Sequence, residues 1–311
     1  MVGSTVGAVS APAPRDDETG DLRALAERHG LKQIGIRPGL VEYLRQLWFF
    51  RQFAGYLASS RAYAQNQNSY LGQAWAILTP VLNAAVYVVI FGLVLRTSRG
   101  VENAVAFIVI GVFLFRFFDR SVVAGGRSIS DRLNLVRSLH FPRAVMPISA
   151  VLTELSTLLP ALVVMCVLTL ASGLHPDYPM VPVTWEWLLL PVAVGLFGMF
   201  NVGCAFISAR IVAAAPDVLN VIQFLLRFVF YGSGVIFPIG HYVERMPAVV
   251  GSVMEYQPAA LALDLGRQAL MDEPTIPLDP TKWLIMLGWG VLFLVGGFLY
   301  FWHGEERYGR E

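Results

Sequence analysis

The sequence predicts an all-α membrane protein. The expected architecture is six transmembrane helices per protomer, an N-terminal interfacial amphipathic helix, a short cytoplasmic helix between spans two and three, and re-entrant outer helices between spans five and six. Three observations predict it. Of 311 residues, 56% are hydrophobic and 14% charged, with a mean hydropathy of +0.58. Soluble domains average about 45–50% apolar and about 25% charged. Six stretches approach the roughly 20 apolar residues that cross a bilayer. Lysine and arginine fall unevenly on the two sides of those stretches.

In chain order, residues 1–39 read as a flexible cytoplasmic tail. They carry Pro12, Pro14 and the acidic run Asp16-Asp17-Glu18, and no apolar run of signal-peptide type. Residues 40–72 form an interfacial segment. Tyr43, Trp48, Phe49, Phe50, Phe53, Tyr56 and Tyr63 are interrupted by Arg45, Arg51 and Arg61, which suits a helix lying in the membrane surface. Residues 73–304 hold the transmembrane domain, with spans at about 74–95, 104–124, 145–171, 188–209, 218–238 and 283–302. The second span is the weakest, because Arg116 and Asp119 lie near its end. Residues 305–311 are a second cytoplasmic tail.

With both termini inside, the inner segments hold 16 lysines and arginines and the outer segments five, which sets the orientation. Trp185, Trp187, Trp283 and Trp302 stand at span ends as interfacial anchors. The outer connection from His241 to Lys282 is apolar in its middle and carries Pro247 and Pro258. That suits a re-entrant pair of short helices, since broken backbone at membrane depth needs shielding by protein or a cavity.

The motifs that would signal an enzyme are missing. No GxxxxGK[ST] is present, because Lys32 follows Leu31 and Lys282 follows Thr281. There is no HExxH, CxxC or GxSxG. Cys166 and Cys204 sit inside apolar runs, which argues against a disulfide scaffold or a metal site. His175 and His241 read as loop residues. The net charge of +1 gives no sign of nucleic-acid binding.

Three segments resemble the permease subunit of ABC exporters for polysaccharides and polyol phosphates. The first is Ser69-Tyr70-Leu71-Gly72 with Trp75, Leu78 and Pro80. The second is Leu135-Val136 with Phe141-Pro142-Arg143 and Pro147. The third is Ser233-Gly234-Val235-Ile236-Phe237-Pro238, followed by Tyr256-Gln257-Pro258 and Arg267. Together they cover nearly all of the chain from about residue 40. Gln65-Asn66 stands where the family often has a basic-aromatic pair. Gly234 and Gln257 replace a frequent proline and asparagine. Within the family the chain is most similar to the actinobacterial exporters of lipid-linked cell-wall galactan.

The resemblance implies a homodimer working with two copies of a separate ABC ATPase subunit, which would hold the ATP and magnesium. This chain would have no cofactor of its own. A polyprenyl-pyrophosphate-linked glycan would be the cargo, in contact with membrane lipid. It also implies that the basic connection after span two is a coupling helix, with Ser128, Asp131, Arg132, Asn134, Leu135 and Arg137 meeting the ATPase. Physically, residues 128–137 can form about two and a half turns. Asp131 lies near the start, where negative charge suits the helix dipole, and Pro142 marks the end. The plainer reading is a positive-inside loop that binds anionic head groups.

Charges inside spans are costly and mostly paired or functional. Glu154 and Arg227 each lie about 13 Å deep at 1.5 Å per residue. Arg116 and Asp119 are at comparable depth, and the four sum to zero. Mutual neutralisation is one reading; Arg227 or Arg116 meeting a pyrophosphate is the other. Phe224, Phe228 and Tyr231 share a face of the fifth span with Arg227 nearby, either as a sliding surface for sugar rings or as lipid packing. Two other functions stay open: a drug, lipid or teichoic-acid permease, and a proton-coupled transporter using Asp119 or Glu154. A membrane glycosyltransferase would need an outer cluster. Asp264, Arg267, Asp272 and Glu273 are its only candidates, and they read as loop polarity.

Overall fold

The structure is a computed structural model. It describes residues 39–64, 72, 74–87, 89, 100–139, 141–174, 176, 178–240 and 247–305. Residues 1–38, most of the Ser69–Gly72 motif, much of the far half of the first expected span and residues 306–311 lie outside the described set. All described residues are helical or connecting, with no strand among them.

The expected interfacial helix is two helices, α1 (Leu40–Phe49) and α2 (Arg51–Ala64). Phe50 separates them at φ −83°, ψ 9°. Helical backbone bonds meet at the joint from both sides, Phe50 N to Gln46 O and Ala54 N to Phe50 O, each 3.0 Å. The pair is therefore one kinked rod. Ala54, Leu57 and Ala58 form its buried stripe, spaced three and four as a helix face requires. Val41, Leu44, Trp48, Phe49 and Tyr56 stay exposed.

Helix α3 (Ala74–Tyr87) packs on α4 (Ala104–Arg127) and α6 (Val145–Ser172). Helix α4 is the centre of the fold. Asn103 caps it, its side-chain oxygen accepting from Ala106 N at 3.0 Å. Nearly every residue from Ala104 to Phe118 is buried, as expected of a helix apolar on all sides. Around it stand α6, α7 (Leu190–Ala214) and α8 (Val218–Gly232). Helix α11 (Pro280–His303) packs most extensively on α7. Gly203 and Gly297 lie at that crossing, where a Cβ on either would collide with the other helix. Small residues let the two backbones approach.

Among the described residues, three elements are long and apolar enough to cross a membrane: Val145–Ser172, Trp185–Ala214 and Pro280–His303. Helix α8 is apolar but 15 residues long. Helix α4 has 24 residues but carries Arg116, Asp119 and Arg120. On α6, Leu159, Val163, Val167 and Leu170 form an exposed apolar stripe spaced four, four and three. Such a stripe on a soluble surface would drive association; in lipid it is the preferred state.

The connection after α4 departs from the single helix expected over residues 128–137. A 3-10 turn, Ser130–Arg132, leads into a six-residue helix, α5 (Leu133–Ser138). Arg132 breaks the two at φ −136°, ψ 37°. The chain turns extended at Leu139, before Pro142 can act. The connection between α8 and α11 holds two short helices, α9 (Ala248–Tyr256) and α10 (Pro258–Leu270). Gln257 parts them at φ −65°, ψ 144°, because the residue before a proline disfavours the helical region.

Two apolar clusters result. The larger surrounds α4 with Phe197, Phe200 and Leu261. The smaller gathers Tyr43, Leu57, Ile129, Val136, Met146, Phe206 and Phe301 at the end carrying α5.

Candidate functional site, an arginine-rich cavity

A cavity of about 1040 Å³ opens between α4 and α8. Its α4 wall follows one helix face: Val112, Phe115, Arg116, Asp119, Arg120, Val123 and Arg127. Helix α8 contributes Gln223, Leu226, Arg227, Phe230 and Tyr231, and α6 contributes Thr153 and Glu154. Arg61 of α2 and Asn83 of α3 close other sides. Ser128, Asp131 and Arg132 form the end next to α5.

All four members of the charge set expected from sequence, Arg116, Asp119, Glu154 and Arg227, line this cavity. They are not alone. Arg61, Arg120, Arg127 and Arg132 join them with Asp131, so among the described residues six arginines face three carboxylates and the lining carries a formal +3. Glu154 is buried and meets Arg120 at 4.0 Å. Asp119 lies in the field of Arg116, Arg120 and Arg227. Sequence reasoning missed Arg61, Arg120 and Arg127. The signal for two of them was present, since 116, 120 and 127 are spaced to share a helix face.

The expected path residues divide. Arg227 and Tyr231 line the cavity. Phe224 and Phe228 point outward, 68% and 74% exposed. Phe230 lies edge-on to Phe115, centroids 5.0 Å apart, and backs the cavity wall.

The expected coupling residues divide too. Ser128, Asp131 and Arg132 line the cavity. Asn134 is exposed, and Leu135 packs partly into the smaller apolar cluster. The side chain of Arg137 lies outside what is described. Arg61 reaches Ser149 Oγ from Nη1 at 3.4 Å, while its buried Nε has no partner among the described residues. Burial lowers the Arg61 pKa to about 10; the nearby Arg132 adds to this and Asp131 opposes it.

A polar tie holds the α5 end together. Tyr43 Oη donates to Glu305 Oε2 at 2.8 Å and accepts from Ala144 N at 3.0 Å. Arg143 N donates to Glu305 Oε1 at 3.1 Å, and the Arg143 guanidinium donates to the Glu305 carbonyl. One carboxylate thus joins α1, the Phe141-Pro142-Arg143 motif and the end of α11. Burial pushes the Glu305 carboxyl above its ordinary value, against the opposing hydrogen bonds from Arg143 and Tyr43.

At the opposite end the reading of loop polarity is corrected for Arg267 and Glu273, while Asp272 is exposed as that reading expects. Arg267 is 1% exposed and Glu273 4%. Arg267 Nη2 donates to Gly234 O at 2.9 Å and Val235 O at 3.1 Å, and its guanidinium sits 3.4 Å above the Phe107 ring. Nη1 meets Asp264 at 3.4 Å, and Asp264 in turn meets Lys282 at 3.1 Å. Gly234 takes φ +69°, a conformation that suits glycine. Gln257 Nε2 donates to Gly232 O at 2.6 Å. The two halves of the third motif, far apart in sequence, are therefore one hydrogen-bonded unit. A charge at that depth was misread because its acceptors are backbone carbonyls, which composition does not reveal.

An all-helical membrane protein with a charged cavity walled by its central helix has the form of a permease. No family model matches the chain. It is 30% identical over 200 residues to the O-antigen export system permease protein RfbA of Myxococcus xanthus, covering 64% of this chain and 74% of that protein. Two proteins of the same description from Klebsiella pneumoniae are 25% and 24% identical over 206 residues, each match covering 66% of this chain and 75% of theirs. The chain belongs to the family of O-antigen export permeases.

Proposed function

We propose that this chain is the transmembrane subunit of an ATP-driven ABC exporter that moves a lipid-pyrophosphate-linked polysaccharide, a cell-wall galactan, out of the cytoplasm. One observation carries the reading: the cavity with a net positive lining that reaches from α4 and α8 to the segment preceding α5. A diphosphate head group carries the complementary charge, and arginine forks suit its oxygens. The family membership supports the polysaccharide class. The galactan reading rests on the resemblance in the sequence.

In this proposal six helices span the membrane, with α3, α4 and α8 joining the three that are long and apolar enough. Both termini are cytoplasmic, α1 and α2 lie at the interface, and α9 and α10 re-enter from outside. Two copies pair, and two ATPase subunits, holding ATP and magnesium, dock at α5. This chain supplies path, gate and docking surface.

The test is reconstitution with a separate ABC ATPase subunit. Co-purification and ATP hydrolysis stimulated by lipid-linked galactan are expected. A chain that transports with no ATPase present would overturn the reading. A second test concerns Glu154. It meets Arg120 at 4.0 Å, so the double exchange Glu154→Arg with Arg120→Glu should restore part of the export that each single change lowers.

A further inference from the structure

The geometry points to a phosphate-binding site formed by Arg61, Ser128 and Arg132, which bridges the interfacial rod and the turn that leads into α5. Its ligand class is a phosphate or diphosphate group carried by a lipid. The inference deepens the export reading and rests on it for the cargo, but the site itself stands on three local observations.

The first is a pair of unfilled donors. Ser128 is 3% exposed and its Oγ has no partner among the described residues; the same holds for the buried Nε of Arg61. Buried donors are normally satisfied, so two on the lining of one cavity mark a place where a ligand or water completes the bonding. The second is charge. Arg61 and Arg132 come from different elements and repel each other, with Asp131 as the nearby carboxylate. Two guanidinium groups that repel each other across one cavity are both stabilised by a dianion bound there. The third is location. All three residues line the same cavity; Ser128 precedes the turn and Arg132 is its last residue, where the chain breaks into α5.

A phosphate there replaces repulsion with two charge-assisted contacts. It draws α2 and the Ser128–Arg132 turn together, and α5 moves with the turn. Occupancy of the cavity is thereby felt at the surface where the ATPase docks.

The experiment uses the full chain in phosphatidylcholine nanodiscs, without ATPase, and measures binding of a polyprenyl diphosphate. Arg61→Gln and Arg132→Gln should each weaken binding about tenfold, the effect of losing one charge-assisted contact. Arg61→Lys should retain part of it. Arg45→Gln, on the exposed face of α1, should bind as the parent does. Ser128→Ala removes one hydroxyl and serves should an arginine variant misfold; a several-fold loss is expected. In a second arm phosphatidylglycerol replaces part of the phosphatidylcholine. Weak competition assigns the site to the carrier diphosphate, and equal competition assigns it to bilayer head groups. Unchanged binding in the folded Arg61, Arg132 and Ser128 variants overturns the site. Because no ATPase is present, that failure is separate from failure of the export reading, which the reconstitution tests.

Discussion

At the scale of the residue, two buried charged groups set strong expectations. Arg267 satisfies backbone carbonyls of Gly234 and Val235 and covers the Phe107 ring. Arg267→Met keeps much of the volume but strands those acceptors and Asp264. A loss of about 3 kcal/mol is expected, because removing one partner of a buried charged pair leaves the rest uncompensated. Thermal unfolding in detergent measures it. Gly111→Ala should act on the same contact, since a Cβ there would lie 2.6 Å from Arg267 Nη2 and 2.8 Å from Val235 O. Glu305 gives a pH signature. Its folded pKa lies above the ordinary 4.5, so its contribution is fully present below that value and is lost as pH rises through the folded pKa. The melting temperature of the parent should therefore rise relative to Glu305→Gln as pH falls from 7 toward 4.5. A constant difference across that range would show the carboxyl is not raised.

At the scale of the element, α5 decides where docking mutations belong. Leu135 and Val136 pack into the cluster with Tyr43 and Phe301, so changing them damages the fold as well as any docking. Leu133 and Asn134 are exposed. Leu133→Asp with Asn134→Glu should abolish ATPase association and leave the melting temperature within a degree or two, since exposed changes usually move stability by less than about 0.5 kcal/mol. Retained association, measured by co-purification, would place the docking surface elsewhere. The sequence made this helix longer than it is. Spacing and capping signals define an α-helix over residues 128–137, but the 3-10 turn at Ser130–Arg132 is a local geometry that side-chain pattern does not encode.

At the scale of the whole molecule, the outward face of α8 matters. Phe224 and Phe228 do not line the cavity within one chain. Any role for them in carrying sugar rings needs a second copy to close over that face. Phe228→Cys in an otherwise cysteine-free background should cross-link to a species of twice the mass on mild oxidation. Absence of that species in an exporting preparation would remove Phe228 from the path. The smaller apolar cluster and the Glu305 tie connect α1, α5 and α11 through packed side chains and hydrogen bonds.

The sequence by itself determined the all-helical class, the membrane habit, the break at Gln257-Pro258 and the absence of a Walker lysine. These follow from hydropathy, from the steric rule at proline and from residue identity, all of which are local. It also marked Arg116, Asp119, Glu154 and Arg227 as a set, because charge within an apolar run stands out. Only the tertiary structure decided that Arg61 and Arg132 meet them, that Glu154 faces Arg120, and that Arg267 is buried on carbonyls. Those facts depend on how helices distant in sequence rotate and pack. A charge's partners, more than its type, fix whether it is loop polarity, ion pair or ligand site.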